Sequence, residues 1–162
     1  MEYFDVYDNK RNKLNYIKER GKELKDNEFN KGVEIYITSN NKLLLTQRSV
    51  NKSHPLEWEV PGGCSIINET SLDTIKREIE EEINLEINLN SLTYIGTKLY
   101  KKNYVDIYTI DINNLDMNKL KKQDEEINDI KLVTKEEFNN LKIVSSVLNR
   151  FNSFKDLINL NW

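Results

Sequence analysis

Four aliphatic residues, Leu72, Ile75, Ile79 and Ile83, recur at spacings of three, four and four, and no other segment constrains the chain as tightly. The spacing draws one apolar stripe and predicts an amphipathic helix over residues 71–83, packed through that stripe. Thr70, with Asp73 three residues on, supplies the N-terminal capping pattern. Asn84 stands at the stop, where a residue able to take a left-handed backbone is wanted. The same segment concentrates charge. Residues 69–86 hold seven acids and two bases, a net of −5 in a chain whose total is −3, so the remainder sums to +2. Glu78, Glu81 and Glu82 stand at i, i+3 and i+4 and share one helix face, expected to lie away from the apolar stripe. Like charges at this spacing destabilise a helix by roughly 0.2–0.5 kcal/mol per pair. A compensating cation is therefore expected, and clustered hard oxygens suit Mg²⁺ or Mn²⁺. The plain alternative is a solvated acidic face.

Around this helix the chain alternates strand-like and turn-like segments. Residues 2–8, the turn-like D-N-K-R-N and then Leu14, Tyr16 and Ile17 read as an N-terminal β-hairpin. Residues 20–31 are polar and read as a loop. Val33, Ile35 and Ile37 alternate as a strand, Asn40-Asn41 turn the chain, and residues 43–46 form the next strand. Residues 49–61 read as a loop. Residues 92–100 and 104–112 are rich in β-branched and aromatic side chains and read as a hairpin about K-K-N. A short helix is expected over 116–122, a strand over 127–133, a short helix capped by Thr134, and an amphipathic helix over 144–160. Strands interleaved with a few helices predict a mixed α/β fold. At 162 residues, with few Pro and Gly breaks and no repeat or linker, the chain reads as one domain.

Composition excludes several classes. No apolar run approaches the ~20 residues of a membrane span, and the acidic N-terminus is unlike a signal peptide. One cysteine, Cys64, cannot form an internal disulfide, and a cytoplasmic location is expected. Cys64 and the single histidine, His54, cannot build a Cys/His zinc cluster. The net charge of −3 provides no basic field for a nucleic acid.

From Gly63 the chain reads G-C-S-I-I-N-E-T-S-L-D-T-I-K-R-E-I-E-E-E-I-N-L. Five residues separate Gly63 from Glu69, and seven more lead to Arg77-Glu78. Ile79, Glu81-Glu82, Ile83 and Leu85 follow. This resembles the Nudix box, G-x5-E-x7-R-E-U-x-E-E-x-G-U, with U a bulky aliphatic. Asn84 replaces the last glycine, and asparagine is the next-best residue for the left-handed region. The approach H-P-L-E-W-E-V-P-G-G, the strand L-L-L-T-Q-R and the later D-I-K-L-V and T-K-E-E-F are also similar to that family. The N-terminal D-V-Y-D-N-K-R-N with E-R-G-K is similar to a subgroup related to isopentenyl-diphosphate isomerase.

The resemblance implies a single Nudix domain over 1–162, an α/β/α sandwich about a mixed sheet, with residues 1–31 as a β-hairpin extension and the box at 63–85. It implies a hydrolase in which water attacks a phosphorus of a small-molecule diphosphate. It assigns Glu78, Glu81, Glu82 and the carbonyl of Gly62 to Mg²⁺ or Mn²⁺, with Gly63, Glu69 and Arg77 as structural support of the box. Glu81, Glu82 or a later acid, Glu125 or Glu126, would deprotonate the water. Metal-bound water has a lowered pKa, which brings it within reach of a carboxylate near neutral pH.

The substrate side is thinner. Arg48 is a candidate for a phosphate contact, and Trp58, Tyr3, Tyr7, Tyr16 and Tyr36 either stack on a base or pack the core. Phe151, Phe154, Leu157 and Trp162 near the C-terminus either make a homodimer face or close the core. Two other readings stand beside the hydrolase. An isopentenyl-diphosphate isomerase needs a cysteine and a histidine-rich metal site, and here only His54 is available. A catalytically inactive nucleotide-binding regulatory module is disfavoured by the retention of Glu69, Glu78, Glu81, Glu82 and Arg77.

Overall fold

A computed structural model describes residues 1–162. Nine strands and three helices succeed one another: β1 (Tyr3–Tyr7), β2 (Lys13–Glu19), β3 (Asn30–Ser39), β4 (Lys42–Arg48), β5 (Trp58–Glu59), β6 (Gly62–Cys64), α1 (Ser71–Ile83), β7 (Thr93–Tyr100), β8 (Asn103–Asp111), β9 (Ile127–Val133), α2 (Lys135–Asn140) and α3 (Ser145–Phe154). No helix is long and apolar enough to cross a membrane.

β3 organises the sheet. Its alternating Val33, Ile35 and Ile37 face one layer, and Tyr36 faces the other. Along one edge it pairs in parallel with β8, from Asn30↔Asn103 to Thr38↔Asp111. Along the other it pairs antiparallel with β6 at residues 32–34 and with β4 only at Thr38 and Ser39. β4 then leaves β3 and pairs with β9 and β5. The sheet is therefore mixed, and it opens where β3 and β4 diverge.

Each face carries a core. α1 lays Ile75, Ile79 and Ile83 on Val33, Ile35, Ile37, Leu44, Ile110 and Ile127. On the other face Phe138 of α2 and Val147 and Phe151 of α3 pack with Tyr36, Leu43, Leu45 and Trp58. The result is the expected α/β/α arrangement, since a sheet flanked on both faces must bury both. Phe154 and Trp162 pack against this second core, and Leu157 is exposed.

The N-terminal hairpin forms a separate two-stranded sheet. The Asp8 carboxylate accepts the N–H groups of Lys10 and Asn12 at 2.8 and 2.9 Å, which closes its turn. Asp5, buried in β1, accepts the Asn68 N–H at 2.8 Å and pairs with Lys13 at 2.8 Å. The hairpin is thereby tied to the loop that precedes α1.

Several local expectations need correction. Leu72 does not continue the buried stripe; it is 37% exposed, and Thr74 takes a buried position instead. Residues 116–122 form only a 3₁₀ turn at Met117–Lys119, because the Asp116 carboxylate accepts the Asn118 N–H and favours a local turn over a helix. The C-terminal helix stops at Phe154; beyond a 3₁₀ turn the tail folds back, and Trp162 Nε1 donates to the Asn41 carbonyl at 3.1 Å. The segments read as loops contain the start of β3, at Asn30, and all of β5.

Candidate active site

The box helix is fixed at both ends by short-range chemistry. Thr70 Oγ1 accepts the Asp73 N–H at 3.2 Å while the Asp73 carboxylate accepts the Thr70 N–H at 2.9 Å. Asn84 lies in the left-handed region at φ 54°, and its N–H returns to the Glu80 carbonyl at 3.1 Å. The position vacated by glycine thus keeps the backbone a glycine would take.

The three glutamates do not share an open face. Glu78 and Glu82 are 8% and 4% exposed, whereas the Glu81 side chain is 54% exposed. Helical geometry accounts for the difference. Three residues after Ile75 and Ile79, Glu78 and Glu82 fall about 60° from the stripe rather than opposite it. They border the apolar contact and are carried into the protein with it. Burial raises the Glu78 carboxyl above its usual range, against the pull of Arg77. Burial, followed by the charges of Glu78 and Glu59, pushes Glu82 up to about 8.

Arg77 is the hub of the loop–helix junction. Its Nε donates to Glu69 Oε1 at 2.7 Å and Nη2 to Glu69 Oε2 at 3.0 Å. Nη2 also reaches the Cys64 carbonyl at 3.0 Å, and Nη1 reaches Glu78 at 2.9 Å and Glu81 at 3.2 Å. The Glu69 carboxylate further accepts from the Ile66 N–H at 3.0 Å and Thr74 Oγ1 at 2.9 Å. Although burial opposes ionisation, these donors hold Glu69 below its usual pKa. One fork-shaped cation therefore satisfies two segments and two glutamates together.

Glycines permit the approach of loop to helix. A Cβ on Gly63 would lie 2.1 Å from Glu78 Oε1, and one on Gly62 would lie 2.2 Å from the Val33 carbonyl oxygen. The Gly62 N–H faces Glu82 Oε2 at 3.3 Å. With Arg77 drawing Glu78 and Glu81, and Glu82 turned to Gly62, the carboxylates are not gathered as a three-ligand metal cluster.

These groups line a cleft of about 90 Å³ with no hydrophobic wall. Five carboxylates face it, from Glu2, Glu78, Glu81, Glu82 and Glu126, against the cations Arg20, Lys52 and Arg77. Lys52 pairs with Glu126 at 2.7 Å, and its hydrogen bond holds the Glu126 carboxyl below the usual range. Glu125 is exposed and does not line the cleft; its carbonyl accepts Ser49 Oγ at 2.9 Å. Arg48 is bound at 2.8 and 2.7 Å to both oxygens of Glu59 and lies outside the cleft lining. Trp58 is 4% exposed within the core and offers no face for stacking. Burial raises the Cys64 thiol, which disfavours the thiolate. His54 faces Glu57 at 3.6 Å, away from the cleft. Glu2, Arg20, Lys52 and Gln123 complete the lining. They are single polar residues far apart in sequence, so no spacing marks them.

A family model described as NUDIX domain matches residues 28–151. The chain belongs to the Nudix family. An uncharacterised Nudix hydrolase of Listeria innocua is 26% identical over 145 residues, covering 88% of this chain and 85% of the relative. The Deinococcus radiodurans protein DR0079 has a similar crystal structure, with a TM-score of 0.76 at 16% identity, covering 94% of this chain and 99% of that one. The Nudix domain of Shewanella oneidensis NrtR, solved with ADP ribose, gives a TM-score of 0.65 at 16% identity, covering 88% and 93%. A Francisella tularensis NMN adenylyltransferase/ADP ribose pyrophosphatase, solved with AMP and a Mn ion, gives 0.66 at 16% identity, covering 79% of this chain and 41% of that one. This chain is thus a Nudix hydrolase by family, and the likenesses to solved structures carry its fold.

Proposed function

We propose that this Nudix hydrolase cleaves a diphosphate linkage in a nucleoside diphosphate joined to another moiety, by attack of water on phosphorus, and that it depends on Mg²⁺ or Mn²⁺. The observation that carries the reading is the burial of Glu78 and Glu82 beside Glu81 at a cleft without apolar walls. Carboxylates so placed are costly to ionise unless a cation shares the site. The donor set is all hard oxygen, which fits these two ions. Glu78, Glu81, Glu82 and the Gly62 carbonyl would hold the metal, and Arg77 would yield its contacts to Glu78 and Glu81 while keeping those to Glu69. A divalent ion in such a site supplies neutralisation of charge on the phosphoryl oxygens and activation of water. Gly63, Glu69 and Arg77 keep loop and helix in contact, so the carboxylates stay placed through turnover.

The proton of the attacking water passes to a carboxylate of the cleft. Glu81 has the most open carboxylate of the box trio, and Glu126 is kept ionised by Lys52. Glu→Gln exchange at each, read as loss of kcat at constant KM, separates them. The ligands of the Shewanella and Francisella proteins support a nucleoside diphosphate as the substrate class. The test is a panel of diphosphate compounds with Mg²⁺ or Mn²⁺, scored by the two phosphomonoester products, which a coupled alkaline phosphatase converts to inorganic phosphate while leaving the intact diphosphate diester untouched. Turnover of at least one compound by the parent and of none by Glu82→Gln is expected. Equal rates in parent and variant would remove Glu82 from the site.

A further inference from the structure

A second cavity adjoins the glutamate cleft and shares two residues with it. It lies between the N-terminal hairpin and the strand that leads into the box, and its volume is about 120 Å³. Glu2 and Arg20 line both spaces, so the hairpin forms the wall between them. Tyr3, Phe4, Leu24 and Ile66 give the second cavity apolar walls that the cleft lacks. Asn30 also lines it.

The cations of the cleft are unequal in what they can still bind. Without a metal, all five N–H donors of Arg77 are spent on Glu69, Glu78, Glu81 and the Cys64 carbonyl, and Lys52 gives one of its three to Glu126. Arg20 makes one side-chain hydrogen bond, from Nη1 to Glu2. A guanidinium has five N–H donors in a fork that matches a phosphate. Arg20 therefore holds more unused N–H donors than either Arg77 or Lys52, at the point where the two spaces meet.

We propose that the cavity behind the hairpin receives the group attached to the far end of the diphosphate, and that Arg20 holds the phosphate between that group and the box glutamates. The inference rests on the hydrolase reading above and adds to it a substrate class. A volume of about 120 Å³ is close to that of the ~150 Å³ apolar cavity known to admit a benzene molecule, so the group is compact, on the order of one ring. Its surface is partly apolar, to meet Phe4, Leu24 and Ile66.

The test compares Arg20→Gln, Arg20→Lys and Leu24→Trp on the diphosphate that the parent turns over fastest. Leu24 is half-buried, and the bond that Lys102 makes to its carbonyl at 2.6 Å does not depend on the side chain. Leu24→Trp therefore fills the cavity at a distance from the box glutamates, none of which lines it. Arg20→Gln is expected to raise KM about tenfold with kcat within about twofold, and Arg20→Lys to recover part of the loss. Leu24→Trp is expected to raise KM similarly for diphosphates with a ring at the far end and not for inorganic pyrophosphate. If KM is unmoved in all three variants while Glu82→Gln abolishes turnover, the hydrolase reading stands and the hairpin cavity is not the binding site. If the parent turns over no diphosphate, the hydrolase reading and the inference built on it both fall.

Discussion

Gly63 and Glu78 occupy each other's space: a Cβ on the glycine would lie 2.1 Å from the glutamate's Oε1. The loop glycine is therefore required by a side chain fifteen positions later. The clash involves only the end of a flexible side chain, which can swing aside at little cost to folding. Gly63→Ala is expected to leave the melting temperature within a few degrees of the parent. Displacement of a carboxylate by about 1 Å should lower metal-dependent turnover on the order of 100-fold. Circular dichroism melts and initial rates on the same preparation check the two halves. An equal loss of stability and activity would mean that the glycine serves the backbone instead.

Arg77 joins Glu69, the Cys64 carbonyl, Glu78 and Glu81, and no ammonium can reproduce that fork. Arg77→Lys keeps the charge but leaves part of Glu69 and the Cys64 carbonyl without donors. The expected cost is about 1–3 kcal/mol of folding stability, measured by urea denaturation. Turnover should fall as well, because the loop bearing Gly62 and Gly63 loses its tie to α1. A variant as stable and as active as the parent would reduce Arg77 to a surface charge.

The extent to which this site is readable in sequence follows from how each part is encoded. α1 and its caps depend on neighbours three or four residues apart, so Ile75, Ile79, Ile83, Thr70 and Asn84 were legible directly. The split of the glutamates into buried and open was not, because a helical wheel says which residues share a face but not how deeply a sheet encloses it. Glu78 and Glu82 become interior through the loop at Gly62 and Gly63, which folds over their side of α1. The 116–122 segment departs from a helix for a local reason, an Asp116 side chain that closes its own turn. Arg20 was invisible for the opposite reason. It reaches the cleft because Asp5 and Asn68 tie the hairpin to the loop preceding α1, a contact that spans more than sixty residues and has no period.

Glu28 anchors the end of that hairpin. It accepts Tyr16 Oη at 2.9 Å and the Lys25 N–H at 2.6 Å, and it pairs with Lys18. The Lys18 hydrogen bond is the largest influence, and the carboxyl is lowered from 4.5 to about 2. A depressed carboxyl pKa stabilises the fold above the unfolded value, and the contribution is lost as pH falls through the folded one. The parent should therefore exceed Glu28→Gln in stability at neutral pH. The gap should begin to close below about 4.5 and vanish near 2. Thermal melts of both proteins across this range test it, and a gap independent of pH would assign the effect to packing rather than to charge.

Metal should also act on stability, because the buried glutamates favour the folded state only when their charge is met. A ligand that binds the native state alone stabilises it by RT ln(1 + [L]/Kd), about 2.7 kcal/mol at a hundred times Kd. For a chain of this size that corresponds to a rise in melting temperature of several degrees. Mg²⁺ at millimolar concentration is expected to produce the rise and a chelator to reverse it. Glu82→Gln should melt higher than the chelated parent at pH 7, since it removes a carboxyl that burial pushes up to about 8. The sign follows from proton linkage. The unfolded glutamate ionises near 4.5 while the folded one stays protonated to about 8, so the metal-free fold loses stability as pH rises between those values. The variant should accordingly show a flatter pH dependence and a much smaller response to Mg²⁺. A full Mg²⁺ response in Glu82→Gln would place the cation elsewhere on the protein.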